Sequence, residues 1–121
     1  MAFFEPIGAC VLALACLAPA QPAESMLQLT SHDTRGRVGT VSLTCEPTGG
    51  SHPGRGRACA ELSKVDGNFD RLSPEPRACT LEYAPVDVSA VGKWRGEPVT
   101  YRTSYANRCV ADAESAGVFT F

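Results

Sequence analysis

The sequence predicts an α+β fold in which an antiparallel sheet carries one main helix. Three observations lead there. Several segments alternate apolar and polar residues with the two-residue period of a half-buried strand, one segment repeats apolar residues at helical spacing, and four cysteines beyond the apolar start of the chain can staple a small domain.

The first strand is expected over Met26 to Thr30, after a flexible tail from Gln21 to Ser25, with its partner following a polar turn from His32 to Gly36. Val38 to Cys45 places Val41, Leu43 and Cys45 on one face and Thr40, Ser42 and Thr44 on the other, as a strand with one wet side does. Glu46 to Gly56 is dense in Gly and Pro and reads as a loop. Ala58, Leu62 and Val65 then recur at helical spacing until Asp66-Gly67 stops the run. Asn68 to Ala78 contains Pro74 and Pro76, which exclude regular structure and favour extended backbone. Past Pro85, the alternation of Val86, Val88 and Ala90 is expected to turn at Gly92-Lys93 and return through Val99, Tyr101, Thr103 and Tyr105 as a hairpin. A short helical turn after Cys109 and a closing strand, Val118 to Phe121, complete the reading.

The chain has 121 residues, with 11 Lys and Arg against 13 Asp and Glu for a formal net charge of −2. That balance argues against a nucleic-acid binder, which needs an excess of cations on one face to replace phosphate counterions. Ile7 to Ala20 is almost wholly apolar or small, the right length for the core of an export signal, and the small-x-small triplet Ala18-Pro19-Ala20 offers a cleavage site. Residues 1–20 are therefore read as a signal peptide and residues 21–121 as one secreted, extracellular domain. Glu5 stands where such signals usually carry positive charge, and Leu14-Ala15-Cys16 is faintly similar to a lipoprotein processing site, which leaves a lipid anchor as an alternative. No later segment is apolar for 18 residues, the least that spans a bilayer.

Of the six cysteines, Cys10 and Cys16 lie in the leader and Cys45, Cys59, Cys79 and Cys109 remain. Two disulfides are the expectation in an exported domain, with three pairings open. No Cys-x-x-Cys pair exists and His32 and His52 lack ligand spacing, so neither metal nor cofactor is expected. An enzyme is not expected either. There is no Gly-x-Ser-x-Gly elbow, the glycine-rich run Gly49 to Gly56 lacks the Gly-Lys-Ser/Thr ending of a phosphate loop, and His52 reads as a surface or packing histidine. Arg35, Arg37, Arg55 and Arg57 could form a small patch for an anionic polysaccharide or lipid, or simply a solvated surface.

The segment that stands out is Cys79-Thr80-Leu81-Glu82-Tyr83-Ala84-Pro85. An apolar Leu81 lies between prolines and two residues after a cysteine, so its backbone can be held extended and its side chain presented outward. A leucine in a strand core is the competing reading of the same residues.

Taken together, the motifs resemble the Streptomyces-type subtilisin inhibitor family of secreted serine protease inhibitors. They are Val41-x-Leu-Thr-Cys45-x-Pro47, Gly50-x-His-Pro53, Gly56-x-Ala-Cys59-x-x-Leu62, Cys79-x-x-x-Tyr83-x-Pro-Val86, Gly92-x-Trp94-x-Gly96, Val99-x-Tyr101, Asn107-x-Cys109 and Gly117-Val-Phe-x-Phe121. The resemblance implies disulfides Cys45 to Cys59 and Cys79 to Cys109, a five-stranded antiparallel sheet with two short helices, and a homodimer formed sheet to sheet. It also implies that Leu81 is the primary specificity residue, Leu81-Glu82 the bond offered to a subtilisin-like protease with a chymotrypsin-like one as a further target, Ala78, Cys79, Thr80 and Tyr83 the surrounding contacts, and Asn107 the support of the loop. Gln28, in the first strand, stands where the family tends to be apolar, and Thr80 and Glu82 differ from the family's best-known loop. A non-inhibitory secreted or lipid-anchored binding module is the alternative function.

Overall fold

The computed structural model describes residues 22–121, so the signal peptide, its cleavage site and the lipid-anchor alternative lie outside the described residues. The elements are β1 (Ser25–Asp33), β2 (Val38–Cys45), α1 (Arg55–Lys64), β3 (Val86–Trp94), β4 (Glu97–Tyr105) and α2 (Arg108–Glu114), with a single 3-10 turn at Phe69–Arg71. The strands form one antiparallel sheet in the order β2-β1-β3-β4.

Alternation sets which face of the sheet is covered. Leu27 and Leu29 of β1, Leu43 and Cys45 of β2, and Val86, Val88, Ala90 and Trp94 of β3 are buried against Ala58, Cys59 and Leu62 of α1 and against Phe69, Val118 and Phe119. The register puts Leu29 opposite Val41 on β2 and Ala90 on β3, so one apolar row crosses three strands, with the Leu27–Leu43 pair beside it. The other face carries Gln28, Thr40, Ser42 and Thr100 and stays open, with Met26 58% and Val91 48% exposed. α1 spans the expected segment and stops where Asp66 and Gly67 take positive φ, the Gly67 N–H closing on the Leu62 carbonyl at 2.9 Å.

The structure corrects the sequence reading at four places. The sheet has four strands, not five, because Val118 to Phe121 does not pair. Its backbone is spent in local turns, Val118 N–H to Ser115 and Thr120 N–H to Gly117, while Phe119 fills the core beside Phe69 and Tyr101. The apolar character of the segment records burial of Val118 and Phe119, not a ladder. The hairpin turns at Arg95-Gly96, both at positive φ as a two-residue hairpin requires, and not at Gly92-Lys93. Gly92 instead lies inside β3, where a Cβ would collide with the Met26 carbonyl of the neighbouring strand, so its glycine serves close approach of two backbones. β1 also runs further than expected at both ends, taking in Ser25, the last residue of the expected flexible tail, and Ser31 to Asp33 at the other end. Finally, the proline-rich stretch contains the 3-10 turn, capped by the Asn68 side chain accepting from the Asp70 N–H.

Candidate functional site

Between the 3-10 turn and β3 the chain runs through residues 72–85 without helix or strand, across one end of the sheet. Pro74, Pro76 and Pro85 cannot donate to a ladder and keep this stretch out of the sheet. Its central residues project into solvent: Leu81 is fully exposed and Tyr83 is 81% exposed. Ala78, Thr80 and Glu82 are exposed as well, and Cys79 is half-buried. An aliphatic side chain held entirely in water gains nothing for folding, which removes the strand-core reading of Leu81.

The backbone behind these side chains is tied down. The Cys79–Cys109 bridge joins the loop to α2, and the second bridge joins Cys45 to Cys59, as the resemblance implied. Asn107, 5% exposed, caps α2 by accepting from the Val110 N–H at 2.9 Å. Its amide nitrogen donates to the Glu82 carbonyl at 2.8 Å and to the Thr80 carbonyl at 3.2 Å. One buried amide thus satisfies a helix end and spends both donors on the carbonyls either side of Leu81. The Ala84 N–H donates to the Ala106 carbonyl at 2.8 Å on the exit side. On the entry side, the Glu75 N–H donates to the Ala113 carbonyl of α2 at 2.8 Å.

Beneath the loop, a cavity of about 240 Å³ is lined by Arg35 and Arg37 from the β1–β2 turn, by Asn107 and Arg108, and by Thr80 and Glu82. Arg35 and Arg37 are therefore neighbours of the loop, whereas Arg57 pairs with Glu75 at 2.7 Å, so Arg57 is engaged elsewhere than in a patch with the other two. The β1–β2 turn is itself held by Asp33, whose carboxylate accepts from the Arg35 and Arg37 N–H groups. Burial pushes the Asp33 carboxyl upward, but these two hydrogen bonds and the nearby arginine charges leave it below the ordinary carboxylate range.

His52 is a packing residue. It is fully buried, with Nε2 on the Val118 carbonyl at 2.7 Å and Nδ1 accepting from the Gly54 N–H at 2.9 Å, so both ring nitrogens are engaged and none is left to act as a base. The supports that sequence reasoning missed are Glu75, Arg57 and the carbonyls of Ala106 and Ala113. The Pro-Glu-Pro frame marks an extended arm, but nothing in the sequence pairs Glu75 with a side chain 18 residues away.

Residues 23–107 match the family described as subtilisin inhibitor-like. Subtilisin inhibitor-like protein 2 of Streptomyces rochei is 49% identical over 83 residues, covering 67% of this chain and 74% of its own. The subtilase-type protease inhibitor of Streptomyces coelicolor is 43% identical over 124 aligned positions, covering 96% of this chain and 86% of its own. Among solved structures, Streptomyces caespitosus sermetstatin in complex with Bacillus licheniformis subtilisin is similar with a TM-score of 0.65 and 29% identity, over 80% of this chain and 98% of that one.

Proposed function

This chain belongs to the subtilisin inhibitor-like family, whose relatives are protease inhibitors and not enzymes, and from that premise we infer that it is a secreted inhibitor of subtilisin-like serine proteases offering Leu81-Glu82 as a substrate would. The observation that carries the reading is a fully exposed Leu81 whose flanking carbonyls are both held by the buried Asn107 amide.

The mechanism follows from that geometry. An extended segment adds main-chain hydrogen bonds to the edge of a protease cleft, and an aliphatic side chain between them fills the pocket that takes a substrate side chain. Leu81 suits the apolar pockets of subtilisin-like enzymes and, on the same ground, chymotrypsin-like ones. Ala78, Cys79, Thr80 and Tyr83 lie along the flanks to make the remaining contacts. Because Cys79–Cys109, Asn107 and the Ala84–Ala106 hydrogen bond already order the loop, little conformational entropy is lost on association. If the Leu81–Glu82 bond is cut, the same ties keep the new amine beside the acyl-enzyme, where it attacks again and restores the bond.

Two further parts belong to this reading. Secretion follows cleavage after Ala20, which the intact mass of the exported protein tests. The open sheet face, with Met26 and Val91 exposed on it, is the contact of a homodimer. The central experiment is titration of subtilisin with purified mature protein. Stoichiometric loss of activity, with slow cleavage only at Leu81–Glu82, is expected; an exported protein that leaves subtilisin active overturns the reading.

A further inference from the structure

Four charged side chains from three elements meet on the entry side of the loop. Arg57 of α1 donates from Nη2 to Glu75 Oε2 at 2.7 Å; Arg77, in the arm itself, lies 3.6 Å from the other Glu75 oxygen; and Arg77 reaches Asp112 of α2 at 4.0 Å. The Glu75 N–H meanwhile donates to the Ala113 carbonyl of the same helix. Glu75 is thus held by its backbone to one helix and by its carboxylate to the other, between two prolines that stiffen the chain on either side.

We propose that Glu75 is a positioning residue of the inhibitory loop: its carboxylate, bridged to Arg57, clamps the arm that enters Cys79, so that the Leu81 segment keeps its extended form against the protease. The inference rests on the reading of Leu81–Glu82 as the offered bond. The disulfide, the Asn107 amide and the Ala84 hydrogen bond act at Cys79 and beyond, on residues 79 to 84. Upstream of the cysteine, where an extended inhibitor contacts the non-leaving side of the cleft, the shortest side-chain tie is the Glu75–Arg57 bridge, with the longer Arg77–Asp112 contact beside it.

The partner side chain is itself placed. A Cβ at Gly117 would stand 3.3 Å from Arg57 Nη1, so the guanidinium lies against the C-terminal turn. Arg57 also holds the Glu75 carboxyl below the ordinary carboxylate range, first through the hydrogen bond and then through its charge, so the clamp is ionised at neutral pH. The pair is partly exposed, with side chains 50% and 33% accessible, which makes it sensitive to salt and modest in strength.

A loop loosened at its entry should be cut faster and bound less tightly, with little change in global stability. The test compares the parent with Glu75→Gln and, as a control for a general loss of surface charge, Glu61→Gln, which breaks the Lys64 pair of α1. Inhibition constants against subtilisin and the rate of Leu81–Glu82 cleavage are measured at low salt and at 1 M NaCl. Glu75→Gln is expected to weaken inhibition and speed cleavage, each by about threefold to fivefold, the range of an exposed ion pair. High salt should move the parent toward the variant and leave the variant unchanged. Parent-like inhibition and cleavage in Glu75→Gln, or an equal effect of Glu61→Gln, overturns the clamp while leaving the assigned loop intact. A parent that does not inhibit subtilisin overturns the functional reading and this inference with it.

Discussion

In the proposed site two side chains divide the work: Leu81 is the residue offered to the protease, and Asn107 holds the carbonyls on either side of it. Leu81 makes no contribution to the core, so its replacement should change binding without changing stability. Leu81→Gly is expected to weaken subtilisin inhibition by about 2 to 4 kcal/mol, the range of an interface anchor. Leu81→Lys should gain inhibition of trypsin, whose pocket carries a carboxylate. Inhibition constants against subtilisin, chymotrypsin and trypsin check both, and a glycine variant as potent as the parent would remove Leu81 from the site. Asn107→Ala removes two donors and one acceptor at once, leaving the Thr80 and Glu82 carbonyls to water and the Val110 N–H uncapped. Inhibition should fall by about 1 to 3 kcal/mol and the loop should become a faster substrate, as followed by mass spectrometry of digests. Leu81 stands out in the sequence as an apolar residue framed by prolines and a cysteine, but those residues fit a strand core as well, and its role comes from the resemblance. Asn107 does not stand out, except by resemblance, because two hydrogen bonds across 25 and 27 residues leave no local pattern.

At the scale of elements, the two disulfides have different duties. Cys45–Cys59 ties β2 to α1 within the core, whereas Cys79–Cys109 ties the loop to α2. With separations of 14 and 30 residues, chain entropy gives about 3 and about 3.7 kcal/mol respectively, so both matter for folding. Only the second stands two residues from Leu81. Replacing Cys79 and Cys109 by serine should therefore lower stability by about 2 to 5 kcal/mol and also convert the loop toward a substrate, while the Cys45 and Cys59 pair should show the first effect without the second. Urea unfolding together with cleavage by subtilisin separates the two, and equally slow cleavage of both variants would contradict the assigned loop. The strands were legible wherever one face was wet and the other dry. Val38 to Cys45 matches its element residue for residue, but Val118 to Phe121 shows that a short apolar segment can also be turns that feed Val118 and Phe119 into a core.

For the whole molecule, the consequence of a single helical layer is a sheet with one uncovered face. Met26 and Val91 sit on that face, with Gln28 directly opposite Val91 in the β1–β3 register. In the proposed homodimer, an amide there would lose water when a second sheet closed over it. Gln28→Val should therefore strengthen self-association by about 1 to 3 kcal/mol, the cost of burying an unpaired amide, measured as the dimer dissociation constant in sedimentation equilibrium. An unchanged constant would place the dimer contact elsewhere.

The sequence by itself determined the class of the fold, the strand faces, and the main helix and its stop, and it singled out the proline-framed segment around Leu81. Each of these is a local property, written in periods of two or near four, in prolines, and in cysteine spacing. Only the tertiary structure decided that Gly92 lies within a strand and Arg95-Gly96 makes the turn, that the sheet stops at four strands, and that Asn107, Ala106, Ala113 and the Arg57–Glu75 pair hold the loop. These are contacts between residues far apart in the chain, and they form because the packed sheet and helices bring the two sides within hydrogen-bonding reach.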